Sequence, residues 1–230
     1  MITLSETRRK SAALLMYLVT RPQHTATREQ VLDDLWPDAE PDAAANSLNQ
    51  TLYFLRRDID PWYDEHGSAN YVSYESEIVW LDPALVTTDS ASFADASIGA
   101  LAGEADAARM AAAVRAYHGR FAPEFEYEEW SLAWRDQLHA TYLAVVQALT
   151  RHLVAAGNLE GALRECQQAL TVDPSSLDIE MQLIWLYGAI GTPAAAMRQY
   201  DHFARAYGSD IGAEPPSLAA VLGAGLPTGH

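Results

Sequence analysis

Three short helical periodicities, an alternating aromatic stretch at residues 70–81 and a helical repeat near the C-terminus predict a mostly α fold. Their order is that of a winged helix-turn-helix with a β-hairpin wing, followed by an all-α, tetratricopeptide-like helical domain. Residues 6–20 read as the first helix, with Ala12, Leu15, Met16 and Val19 on one face and Arg8, Arg9 and Lys10 leading in. Arg21-Pro22 ends it, because a residue before proline is pushed out of the helical region. Thr27-x-x-Gln30 is a capping-box pattern that starts the second helix, which continues through Val31, Leu32 and Leu35 to Trp36 and stops at Pro37.

The third helix, residues 41–57, opens on Pro41, at a first-turn position where the missing N–H costs nothing. At about 100° per residue, Ala44, Leu48, Leu52, Leu55 and Ile59 fall on one side as a buried stripe. Asn46, Gln50, Tyr53 and Arg57 fall on the opposite side, with Asn49 beside them. Amides, a tyrosine and an arginine on one exposed stripe are the groups a helix needs to read base edges in a DNA major groove; an ordinary solvated face is the competing reading. Beyond Pro61 the period changes. The stretch Asn70–Leu81 is rich in aromatic and β-branched residues at period two and reads as a hairpin turning near Glu75–Glu77.

From about residue 100 the chain reads as helical to its end. Residues 157–174 align with residues 191–208, so that Gly157 matches Gly191, Ala162 matches Ala196 and Arg164 matches Arg198, each at a spacing of 34. That is the tetratricopeptide period of paired antiparallel helices. The expected pairs are 138–155 with 159–171 and 176–190 with 194–207, with Asp173-Pro174 as the break between repeats. The stretch 104–118, with Ala112, Val114 and Tyr117, reads as an earlier, divergent helix of the stack. The domains are expected at 1–92 (winged helix) and 93–222 (helical repeat), with 223–230 as a flexible tail.

Hydrophobic content of 49% and aromatic content of 10% fit a folded chain, and no apolar run approaches the length of a membrane span. No signal-peptide core follows the N-terminal basic residues, so the expected compartment is the cytoplasm and no membrane partner is expected. The single cysteine, Cys166, excludes an internal disulfide and sits in an apolar pattern, as core filler does. Net charge is −16, and the acidity is spread along the chain: residues 1–92 hold 7 Lys/Arg and 15 Asp/Glu, 7 − 15 = −8, and the remainder holds the other −8. That balance opposes phosphate binding, for which only Arg8, Arg9, Lys10, Arg21, Arg28, Arg56 and Arg57 are available in the first domain. Arg56 lies nearer the buried edge of the third helix and is expected in a structural ion pair.

No catalytic residue, metal or cofactor is expected. The seven histidines form no H-x-x-x-H pattern, no Gly-rich phosphate loop or G-x-S-x-G occurs, and Cys166 has no activating neighbour in sequence. Glu126, Glu128 and Glu129 beside Tyr127 and Trp130 read as the solvated start of a helix rather than as paired acids.

These residues resemble a known architecture. Residues 6–92 are similar to the response-regulator-type winged helix of bacterial antibiotic-pathway regulatory proteins, and residues 93–222 to the bacterial transcriptional activator domain that follows it there. The matching landmarks are Arg28-Glu29-Gln30 leading to Leu35-Trp36-Pro37, and Ala45-Asn46-Ser47-Leu48 leading to Leu55-Arg56-Arg57. Further on come Asp89 with Phe93, Glu129-Trp130 with Arg135 and Leu138, and the ending Gly208, Ile211-Gly212 and Glu214-Pro215. The resemblance implies a transcription factor whose winged helix binds repeated sites in double-stranded DNA and whose helical domain supports homodimerisation or regulation. RNA polymerase or a regulator domain is the further partner implied. Family members begin with a small β-sheet, of which only Ile2-Thr3-Leu4 could remain; either the chain is a fragment of something longer or the sheet has been lost.

On this reading Asn46, Asn49, Gln50, Tyr53, Arg57 and Arg28 are the candidate DNA-binding residues. Asn49 and Gln50 would pair with adenine, and Arg57 would reach guanine or phosphate. An alternative of another class is a protein-interaction module with a degenerate winged helix, and a third is a ligand-sensing helical domain.

Overall fold

The computed structural model of the chain describes residues 6–102 and 106–226. These residues divide into two compact units. The first holds the chain up to Ala91 together with Arg120–Gln137; the second holds Ser92–Gly119 and the chain from Leu138 onward. The units therefore do not correspond to one cut at residue 92.

In the first unit α1 (Glu6–Thr20) leads through a 3-10 turn into β1 (Thr25–Thr27), α2 (Arg28–Leu35) and α3 (Pro41–Ile59). Then β2 (Val72–Glu75) and β3 (Ile78–Leu81) form the hairpin. The strands make one antiparallel sheet of order β1-β3-β2. Its register sets Ala26 opposite Val79 and Tyr74 opposite Val79 from the other side. Three helices and a sheet in this order are a winged helix-turn-helix, and a hairpin wing is present. The expected N-terminal remnant, Ile2-Thr3-Leu4, lies outside the described residues.

Each start and stop has a local cause. Thr27 caps α2 with a full capping box: its Oγ1 accepts from the Gln30 N–H at 3.2 Å, and its own N–H donates to Gln30 Oε1 at 2.9 Å. Thr27→Ala should cost the unit about 1 kcal/mol, read as a lower urea midpoint at unchanged slope. The hairpin turns on Ser76 and Glu77, both at positive φ (49° and 64°), the geometry of a two-residue type I′ turn without its usual glycine.

The core of this unit packs Leu14, Tyr17 and Leu18 of α1 against Val31, Leu35, Leu48, Leu52 and Leu55, with Val72, Val79 and Leu81 of the sheet beneath. Ala122 and Phe125 complete it, and Trp130 sets its ring edge-on to Tyr17 at 5.9 Å. The buried face of α1 is Ser11, Ala13, Leu14, Tyr17, Leu18 and Val19; of the expected face Val19 is buried, while Ala12, Leu15 and Met16 are only half-buried, a shift of about one residue. The run is apolar nearly all round, and the bulk of Tyr17 decides which side goes in. On α3, Thr51 joins the buried stripe and Ile59 is only half-buried. Arg135 is buried and donates to the Glu126 carbonyl at 2.7 Å and to Ser131 Oγ at 3.4 Å, which closes the 120–137 segment on itself.

The second unit contains most of α4 (Asp89–Leu101), α5 (Ala107–Ala116), most of α6 (Glu129–Ala155), α7 (Leu159–Val172), α8 (Leu177–Ala189), α9 (Pro193–Ile211) and α10 (Leu218–Gly223). The two predicted pairs are here as helices, and the matched repeat positions have one physical explanation. Gly157 and Gly191 both take left-handed backbone (φ 76° and 82°) at helix C-termini. The following N–H closes the same ring each time, Asn158 to the Leu153 carbonyl and Thr192 to the Tyr187 carbonyl, both at 2.9 Å. Ala162 and Ala196 are both buried in the helix that follows. Small residues recur because the same C-cap and the same tight contact recur.

The structure adds α4, which the sequence reading did not assign, and α10, which includes Gly223; the rest of the expected tail falls at 224–226 and, from 227, outside the described residues. Tyr142 stacks on Tyr117 at 4.4 Å, and burial pushes its pKa up to about 12. His139 joins the Tyr117 hydroxyl at 3.2 Å to the Asp173 carboxylate at 2.9 Å. Burial opposes that carboxylate, but bonds from His139 and Ser175 prevail and hold its pKa below the ordinary value. No helix of the described residues is long and apolar enough to cross a membrane.

Candidate nucleic-acid interface

The candidate surface is built on α3. Asn46, Asn49, Gln50, Tyr53 and Arg57 are all exposed, while Ala44, Leu48, Leu52 and Leu55 are buried beneath them. From residue 43 to residue 57 the helix contains no carboxylate; Asp42 and Asp58 bracket that interval. Tyr53 is 48% exposed, and the Arg57 guanidinium lies over its ring at 5.1 Å. The pair, one helical turn apart, keeps both side chains extended along the outer face. Arg57 has no carboxylate partner among the described residues.

Most other cations of the unit are tied into the fold. Arg21 pairs with Asp34 at 3.0 Å and stacks on Tyr17 at 4.1 Å. Lys10 donates to the Leu35 carbonyl at 2.6 Å above the Trp36 ring. Arg9 sits over Phe125. Among the described residues Arg56 makes no ion pair, contrary to expectation: its Nε donates to the Val72 carbonyl at 3.0 Å and its guanidinium lies over Tyr63 at 5.7 Å. A backbone acceptor on β2 is nearer than any carboxylate and fixes the end of α3 to the sheet.

Arg28 stands apart from the other five candidates. Its Nη1 donates to Glu77 Oε2 at 3.0 Å, and its N–H donates to the Glu77 carbonyl at 2.8 Å. The Glu77 bond holds the Arg28 pKa above its ordinary value. The wing turn therefore offers a neutralised pair, not a free cation. Glu77 as the partner of Arg28 was missed in the sequence; the two are 49 residues apart, and only the β1–β3 register brings them together. Trp62, 90% exposed just beyond α3, is a second surface group that carried no periodic signal.

Cys166 is buried, with Thr150 Oγ1 at 3.4 Å, and burial pushes its thiol up to about 11, the opposite of a reactive thiolate. Among the described residues no cluster of His, Cys, Asp and Glu could hold a metal ion.

Residues 87–222, more than half of the chain, match the family model described as bacterial transcriptional activator domain. The chain belongs to that family. Upstream of this activator domain, residues 4–69 match the model described as transcriptional regulatory protein, C terminal. The second match ends before the hairpin at 72–81 that completes the winged helix. A winged helix followed by an activator domain is the composition of the antibiotic-pathway regulatory type, a class of transcription regulators and not of enzymes. No curated protein matches the chain. Among solved structures, the fold of this activator-domain protein is similar to that of Mycobacterium tuberculosis EmbR in complex with a low-affinity phosphopeptide. The TM-score is 0.69 at 19% identity, over 96% of this chain and 59% of that one. The chain thus spans less than two thirds of the EmbR chain.

Proposed function

We propose that this transcription regulator binds double-stranded DNA through α3, with the helical domain mediating dimerisation or regulation, in the cytoplasm. The observation that carries the reading is the exposed, carboxylate-free stripe of Asn46, Asn49, Gln50, Tyr53 and Arg57. Asn49 and Gln50 have the donor–acceptor pair that fits the N6/N7 edge of adenine, and Arg57 fits guanine or a phosphate. Because the other cations are largely committed to internal partners, one protomer neutralises few phosphates. Pairing two protomers on adjacent repeats raises the effective concentration and makes up for that weakness.

The test is fluorescence-anisotropy titration of duplexes selected from a randomised pool, between about 50 and about 200 mM salt. Binding is expected at low salt, with log affinity falling against log salt at a slope of about −1 to −3 per protomer, shallow for a DNA-binding protein. Selected sites should carry adenines whose replacement loses affinity in the wild type but not in Asn49→Ala/Gln50→Ala. Absence of binding at low salt would overturn the reading. It would favour the second class, a protein-interaction module, which the internal pairing of Arg21, Arg28 and Lys10 also supports.

The wing supplies a separate, gain-of-affinity expectation. Glu77→Gln leaves the turn in place but releases the Arg28 charge. Low-salt affinity for duplex DNA should rise several-fold and the salt slope should steepen by about 1. An unchanged slope would place Arg28 away from the phosphates.

A further inference from the structure

We propose that the cleft lined by α8 and α9 in the helical unit is a binding site for a small zwitterion carrying an ammonium and a carboxylate, the chemistry of a free amino acid. The cleft has a volume of about 400 Å³, within the size range of small-molecule sites. Glu180 of α8 lines it. The Glu180 side chain is only 2% exposed, and its Oε1 accepts from His202 Nδ1 on α9 at 2.6 Å. Its other oxygen, Oε2, is buried with no hydrogen-bond partner among the described residues.

A buried carboxylate oxygen left without a donor is costly, and a fold keeps one where something else supplies the donor. Burial accordingly raises the Glu180 pKa, with His202 working in the other direction. His202, at 59% exposed, is the partner already counted and cannot serve Oε2 as well. Arg198 also lines the cleft, one turn before His202 on the same face of α9. It has no ion pair among the described residues. Leu170, Pro174 and Ala195 supply apolar wall between these groups.

The site thus offers a buried acceptor on α8 and a guanidinium on α9 that line the same cleft. A ligand that is only cationic meets repulsion from Arg198, and one that is only anionic meets repulsion from Glu180. A ligand with both groups satisfies both walls: its ammonium donates to Oε2 and its carboxylate accepts from Arg198. This inference does not depend on DNA binding, and its test is separate.

The full chain is titrated by calorimetry and thermal shift with the standard L-amino acids, β-alanine and γ-aminobutyrate. At least one is expected to bind with Kd of about 1 mM or tighter. Its analogues lacking either the amine or the carboxylate should bind about tenfold more weakly, as should Glu180→Gln and Arg198→Ala. Glu180→Gln should also raise the Tm of the unliganded protein, because it removes a buried charge while keeping an acceptor for His202. A purely structural carboxylate would instead lower Tm on this replacement. If no member of the panel binds, or if binding is indifferent to both variants, the proposal is overturned. Zwitterion binding without any DNA binding would uphold it and overturn the DNA reading alone.

Discussion

Tyr17→Ala should unfold the winged-helix unit under mild conditions, with a loss of about 3–5 kcal/mol in urea unfolding. Tyr17 is fully buried at the centre of the first core, with the Trp130 ring edge-on at 5.9 Å and the Arg21 guanidinium over its face at 4.1 Å. Its hydroxyl donates to Asp34 at 2.7 Å, and burial together with that bond raises its pKa. Truncation removes the ring from under three neighbours and leaves a void that the sheet and α3 cannot fill by small shifts. A loss of this size is a large share of the roughly 5–15 kcal/mol that stabilises a typical domain. Tyr17→Phe separates the contributions: it keeps the ring, removes only the bond to Asp34, and should cost about 1 kcal/mol. If the alanine variant lost no more than the phenylalanine variant, the core would not be organised around this ring.

Arg57→Ala should weaken binding to a selected duplex by about 5- to 150-fold, which corresponds to about 1–3 kcal/mol for one well-formed base contact. The fold should be unaffected, because Arg57 is exposed and its contact is a local one with Tyr53. The pattern of the loss identifies the contact. A guanine contact gives a loss confined to cognate sites, whereas a phosphate contact gives a uniform loss and a salt slope shallower by about 1. Arg57→Lys discriminates further, since lysine keeps the charge but not the planar fork. Binding indifferent to both replacements would remove Arg57 from the interface.

The parts of the fold that were readable from sequence are those set by local chemistry. Thr27 with Gln30 fixed the start of α2, Pro41 fixed the start of α3, and Gly157 with Gly191 marked two equivalent helix ends. The exposed stripe of α3 was readable for the same reason, because helical periodicity alone separates Asn46, Asn49, Gln50, Tyr53 and Arg57 from the leucines. What was not readable depends on partners distant in sequence. β1 is only Thr25–Thr27, and it is a strand because β3 lies beside it. The acceptor for Arg56 is a backbone carbonyl on β2, and no pattern of side chains announces a carbonyl. α4 is built mostly of small residues around Phe93, so its period was faint. The pairing that neutralises Arg28 needs the whole hairpin in place.

The inclusion of residues 120–137 in the first core has a consequence for biosynthesis. Phe125 and Trp130 reach that core only after α4 and α5 have been made. Domains ordinarily fold in the order in which they leave the ribosome. Here the unit that starts first is finished late, so the nascent winged helix exposes the Tyr17 side of α1 until residue 137 has emerged. Pulse-labelled chains released at residue 92 should therefore be degraded faster than chains released after residue 137, and the gene segments for the two halves should not be freely exchangeable at a single junction.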